Sequence, residues 1–259
     1  MQNVKDYWRN KQTRAQVAQK HTKEMAEKYP EEIKKAIENT TVYNENHMFS
    51  SCLRPYPTKI VVTDEDSVSA IFSSDILDHI AVLNFASYKS PGGKFIEGSS
   101  AQEESLCHES FLYNVISQFP KYYENNNKAK NKALYLNRAL YSKDIVFVRN
   151  DKTRMCDVIT CAAPNLTAAK EYCNVSDALN TKELTSRCDF VLNILSEQQA
   201  ETIILGAYGC GVFGQDPEEV ANIFKNLLAT KYNGVFRKVV FAIPNGSNGN
   251  LIAFKKVFA

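Results

Sequence analysis

Five short apolar runs, HIAVLNF (79–85), IVFVRN (145–150), DVITCAAPN (157–165), TIILGAYG (202–209) and KVVFAIPNG (238–246), constrain this chain more than any other feature. HIAVLNF and TIILGAYG do not alternate polar with apolar residues, the pattern of strands buried on both faces. Helical stretches separate the runs. One, from about Ala101 to Phe119, places Leu106, Phe111, Leu112, Val115, Ile116 and Phe119 at helical spacing. A second is expected from about Thr185 to Gln199. A third opens with Asp216 as cap, Pro217 at the first helical position and Glu219 three residues after the cap. LIAFKKVF closes the chain as a helix. Strands alternating with helices predict an α/β fold with a mainly parallel sheet covered on both faces. Such sheets bind ligands beyond the carboxyl ends of their strands.

The rhythm begins at about Asp78, which divides the 259 residues into an accessory region, 1–78, and a catalytic-sized domain, 79–259. The accessory region is mostly helical: one helix from about Lys11 to Lys28, another from about Pro30 to Asn39, with Trp8, Val17, Met25, Ile33 and Ile37 as an irregular apolar face. Lys20, Lys23 and Lys28 form a solvated face. TKIVVT has strand character and SVSAIFSSDILD is ambiguous. The stretch YYENNNKAKNKALYLN (122–137) is polar and asparagine-rich, so a surface excursion is expected. A net charge of +2 gives no electrostatic case for general nucleic-acid binding. No run reaches the ~18 apolar residues of a membrane span, and the first residues lack the apolar core of a secretory signal. The seven cysteines form no C-x-x-C pair, and Cys156 and Cys161 stand five apart within a strand, which is poor metal geometry. Reduced thiols, no metal, no cofactor and a cytoplasmic location are expected.

Two glycine loops leave the carboxyl ends of strands. After Asn84 the chain runs through Pro91, Gly92, Gly93 and Gly98 into Gln102, Glu103 and Glu104, which open a helix. Glycine lets the main chain approach a ligand closely, and a helix start favours anions. Two carboxylates there could perform acid/base work, or simply complement the helix dipole. The second loop, GAYGCGVFG (206–214), has four glycines before the capped helix. It is neither a Walker A loop nor a dinucleotide fingerprint, which leaves a phosphate cradle of backbone N–H groups or a packing turn.

Together and in this order, NFASYKSPGGKFIEGSSAQEESLC and GAYGCGVFG resemble the microbial poly(ADP-ribose) glycohydrolases, whose catalytic domain is a macrodomain. That family's signature is three glycines, six to eight residues, then Q-E-E. Here Gly92, Gly93 and Lys94 precede seven residues and then Gln102, Glu103 and Glu104. The resemblance covers most of the chain. Its one departure is Lys94 in place of the third glycine, with a side chain that could crowd the pocket, reach a diphosphate or point to solvent.

The resemblance implies hydrolysis of the ribose–ribose O-glycosidic bond of poly(ADP-ribose), from chain ends, with modified proteins carrying the polymer. It implies Glu104 as general acid and then base, and Glu103 as the carboxylate holding the ribose hydroxyls. Asn84, Gln102, Gly92 and Gly93 would line the distal ribose. Gly209, Cys210, Gly211 and Val212 would cradle the diphosphate, and Phe213 would pack against the scissile ribose. Two other functions compete: a reader macrodomain that binds ADP-ribose without cleaving it, and a hydrolase of mono-ADP-ribosylated protein or nucleic acid. Outside these motifs, His108 is expected as a half-buried histidine, Cys210 as a small residue without a base beside it, and Asn165 as a turn residue.

Overall fold

The computed structural model describes residues 10–50, 56–75, 78–246 and 248–259. Trp8, Cys52 and part of SVSAIFSSDILD lie outside them.

In chain order the elements are α1 (Lys11–Lys28), α2 (Pro30–Glu38), β1 (Thr41–Tyr43), β2 (Lys59–Thr63), α3 (Ser67–Ser73), β3 (Ile80–Phe85), α4 (Gln102–His108), α5 (Leu112–Ile116), α6 (Pro120–Lys128), β4 (Ala139–Arg149), β5 (Lys152–Cys161), α7 (Leu166–Cys173), α8 (Asp177–Glu197), β6 (Thr202–Leu205), α9 (Pro217–Ala229), β7 (Lys238–Ala242) and α10 (Asn250–Val257). One seven-stranded sheet has the order β1-β4-β5-β3-β6-β7-β2. Its central and one outer part, from β5 to β2, is parallel, and β1–β4–β5 is antiparallel.

Continuous apolar strands produce this architecture because both faces are covered. On β3, Ala81 and Leu83 join one core with residues of α8, α9 and α10. Ile80 and Val82 point the other way, into a core built with α1 to α6. The α/β class and mainly parallel sheet are as expected.

The accessory region is woven into this sheet: β1 and β2 are its two edges. The boundary at 78 therefore divides the sequence and not the sheet. Helices α1 and α2 follow the expected limits, with Asn10 capping the first and Pro30 opening the second. The buried face of α1 differs: Ala18 and Met25 are buried, while Val17 is exposed.

Three other expectations are corrected. The helix expected over about 101–119 is two, α4 and α5. At the break, Val148 donates its N–H to the Glu109 carbonyl at 2.7 Å and Ser110 bridges to Phe147, so an edge of β4 captures the backbone. The asparagine-rich excursion begins as helix α6, with Tyr122, Tyr123 and Asn126 buried. Helix α8 starts eight residues before the expected Thr185, capped by Ser176.

Candidate active site

Strands β3 and β6 are parallel neighbours, so the two glycine loops leave the same edge of the sheet side by side. Phe85 and Tyr208, at the two strand exits, pack with ring centroids 5.6 Å apart.

Asn84, next to last in β3, lies opposite Thr160 of β5. Its amide donates to Thr160 Oγ1 at 3.2 Å and to Glu103 Oε1 at 3.3 Å. Glu103 Oε2 accepts the Ser87 N–H at 2.7 Å. Glu104 Oε1 accepts the Lys94 N–H at 3.1 Å, and Oε2 turns back to the Ala101 N–H at 3.0 Å, an acidic cap on the helix start. Both carboxylates are buried, at 3% and 6% exposure. Burial, reinforced by the charge of Glu104, pushes the Glu103 carboxyl up to about 8, against the opposing hydrogen bonds from Ser87 and Asn84.

Gly93 makes this arrangement possible. Its φ is +61°, and a Cβ there would stand 2.8 Å from Glu104 Oε1 and 3.0 Å from Glu103 Oε2. The loop passes directly over both carboxylates because there is no side chain between them. Lys94 costs nothing here: it has no positive φ, its N–H serves Glu104, and the residue is exposed.

Gln102 is held by three bonds within the fold. Its carbonyl oxygen accepts the Phe85 N–H at 2.8 Å, and its amide donates to the Leu83 carbonyl at 2.9 Å and Ser67 Oγ at 3.1 Å. Those bonds tie the start of α4, which carries the two carboxylates, to the end of β3 and to α3.

In the second loop, Tyr208 is buried and donates to the Cys161 carbonyl at 2.9 Å, anchoring the turn. Gly211 and Val212 are exposed, and a Cβ on Gly211 would meet no protein atom within 4 Å. Packing gives no reason for glycine there. Burial pushes the Cys210 thiol up to about 12, the reverse of an activated nucleophile. Phe213 reaches the first loop through two tyrosines. Tyr88 stacks on Tyr135 at 4.1 Å, and Tyr135 meets Phe213 edge-on at 6.1 Å. Tyr88 directly follows Ser87, whose N–H holds Glu103.

The sequence reading missed Thr160, Ser67, Tyr88 and Tyr135, which act across the fold. It also missed Asn126 and Asn127, whose amides donate to the Tyr88 and Lys89 carbonyls, each at 3.0 Å. His108 is half-buried against Phe95 at 4.7 Å, and burial pulls its pKa down to about 4. Asn165 caps α7, accepting the Ala168 N–H at 3.0 Å. Among the described residues, no group of His, Cys, Asp and Glu could hold a metal ion. None of their helices is long and apolar enough to cross a membrane. A separate cavity of about 540 Å³ opens at the amino end of β3, lined by His79, Asp144, Arg154 and Asp157 among others, and holds none of the predicted site residues.

The family model for the catalytic domain of microbial-type PARG matches residues 10–150, more than half of the chain and the part containing the carboxylate loop. The chain belongs to this family. Poly(ADP-ribose) glycohydrolase (PARG) from Thermomonospora curvata is similar in structure, with a TM-score of 0.88 and 28% identity over 95% of this chain and 100% of that one. The same enzyme bound to the inhibitor ADP-HPD gives a TM-score of 0.83 at 28% identity, covering 95% and 99%. PARG from Deinococcus radiodurans in complex with ADP-ribose gives 0.79 at 29% identity, covering 87% and 96%. Comparison with curated proteins found no match. The likeness to these PARG structures extends beyond the family-model match, to 95% of the chain for the Thermomonospora curvata enzyme.

Proposed function

We propose that this microbial-type PARG hydrolyses the ribose–ribose O-glycosidic bond of poly(ADP-ribose), releasing ADP-ribose from chain ends, with Glu104 as general acid and then base. The observation that carries this reading is the pair of buried carboxylates under the Gly92–Gly93 turn, linked through Tyr88 and Tyr135 to Phe213 of the second glycine loop.

The mechanism follows from what each group can do. The second loop offers backbone around Gly211 to the diphosphate, with space that no protein atom uses. Glu103 takes the ribose hydroxyls. Hydrogen bonds from those hydroxyls stabilise the Glu103 carboxylate as the substrate seats. Glu104 then protonates the leaving ribose oxygen as the C1–O bond breaks. Charge builds on an oxocarbenium-like C1, which the ligand's own phosphate oxygens stabilise. Water attacks C1, Glu104 takes its proton, and the site is restored. The polymer is carried on modified proteins, and the six described cysteines, all free thiols, fit a cytoplasmic setting.

Purified protein is incubated with poly(ADP-ribose) and, separately, with mono-ADP-ribosylated protein, and free ADP-ribose is measured by chromatography. Release from the polymer is expected. Glu104→Gln should lower turnover by about 10²–10⁴-fold while keeping ADP-ribose affinity within a few-fold. Binding without release by the wild type would leave a reader, and release from the mono-modified protein alone would leave the other hydrolase.

A further inference from the structure

Beneath the second loop lies a charge that no described residue neutralises. Arg187, on α8, is fully buried. Its Nε donates to Asn137 Oδ1 at 2.7 Å, one Nη to the Ala162 carbonyl, and the other to the Leu134 carbonyl at 3.5 Å. Every one of these acceptors is neutral. Among the described residues Arg187 forms no ion pair, whereas Arg138, Arg149 and Arg237, all more exposed, each reach a carboxylate. Carbonyl dipoles solvate a guanidinium locally but leave its unit charge uncancelled, and an unpaired buried charge is costly to a fold.

Its position gives that charge a use. Ala162, which accepts from the guanidinium, forms a small cluster with Tyr88 and Tyr135 on which Phe213 packs. The next residue, Ala163, has its Cβ 2.9 Å from where a Cβ on Gly209 would stand. One residue of backbone therefore lies between the arginine and the second glycine loop. Low-dielectric protein fills the interval and screens the field little. Burial raises the pKa of Tyr88, Tyr135 and Tyr208, side chains of the two loops and the stack between them, and the Arg187 charge opposes that rise in all three.

We propose that Arg187 is the buried counter-charge for the ligand's diphosphate, a specificity determinant that acts through the floor of the second loop without touching the ligand. This rests on the reading above that a pyrophosphate occupies that loop. Arg187 makes the site select polyanionic nucleotides over their uncharged nucleosides. A unit charge acting over roughly 10 Å at an effective dielectric of about 20 changes affinity for one negative charge by roughly ten- to thirtyfold.

The test is calorimetric titration of ADP-ribose and of adenosine, which has no phosphate, into the wild type and the variants Arg187→Gln, Arg187→Met and Arg187→Lys. Both neutral variants should bind ADP-ribose, whose diphosphate carries two such charges, at least about tenfold more weakly, and adenosine within about twofold of wild type. Arg187→Lys should recover most of the ADP-ribose affinity, and the salt dependence of that affinity should flatten only in the neutral variants. Equal losses for both ligands, an unchanged ADP-ribose affinity, or failure of both neutral variants to fold would show a structural arginine and overturn the proposal. Absence of ADP-ribose binding by the wild type would instead defeat the functional reading on which it rests.

Discussion

Glu103 and Glu104 occupy consecutive positions in one helical turn, both buried and both held by main-chain N–H groups. In that setting, burial and the neighbouring charge of Glu104 keep the Glu103 carboxyl protonated near neutral pH. The sign of the stability effect follows from the Glu103 shift. Below its ordinary 4.5 the group is protonated in both folded and unfolded chains, and its full contribution is present. As pH rises from 4.5 toward about 8, the unfolded chain ionises first and stability falls, by up to about 1.4 kcal/mol per pH unit. Thermal melts of wild type and Glu103→Gln between pH 5 and 8 check this. The variant should show a flatter decline of Tm across that window, and parallel curves would refute the shift. Much of this site was legible in sequence because Asn84, Gly93, Glu103 and Glu104 are local to one loop. Thr160, Tyr88 and Tyr135 were not, because their roles depend on strand register and on a stack across the two loops. The bonds of Gln102 to Leu83, Phe85 and Ser67 were not legible either, because these partners come together only in the fold.

At the scale of elements, the limits read correctly are those with a local chemical cause. Pro30 opens α2, and Asp216 caps α9 by accepting the Glu219 N–H at 2.8 Å ahead of Pro217. The errors arise where tertiary contact overrides the local pattern. The pattern over 101–119 is continuous, yet Glu109 and Ser110 are drawn to β4 and the helix breaks. In α6, asparagines that suggest a loop serve instead as a latch, because Asn126 and Asn127 hold the carbonyls of Tyr88 and Lys89. That latch predicts an effect of Asn126→Ala. Leaving the Tyr88 carbonyl buried and unpaired costs about 1–3 kcal/mol, visible as a lower urea midpoint. Loosening the loop that carries the Ser87 N–H should also lower kcat/KM on the polymer more than it weakens ADP-ribose binding. A variant with wild-type midpoint and turnover would show that α6 is a bystander.

Across the whole molecule, the 1–78 segment supplies β1 and β2, the two outer strands of the sheet, and helices that close one of its faces. A chain beginning at residue 79 would expose β4 and β7 as bare edges and uncover apolar side chains of the β3 layer. It is predicted to aggregate or stay unfolded, as read by amide dispersion in NMR spectra and by size-exclusion chromatography. A monomeric, ADP-ribose-binding fragment would contradict this. The contact between α1 and Gly98 carries the point further. Gly98 has φ +81°, and a Cβ there would collide with the Lys11 carbonyl and stand 2.8 Å from the Ala15 nitrogen. Arg14 Nε donates to the Gly98 carbonyl at 2.7 Å. Helix and loop touch backbone to backbone, so neither can fray without disturbing the other. Their amide protons therefore exchange with solvent as one cooperative unit, and whatever binds over the Gly92–Gly93 turn slows deuterium uptake in a helix that never meets it.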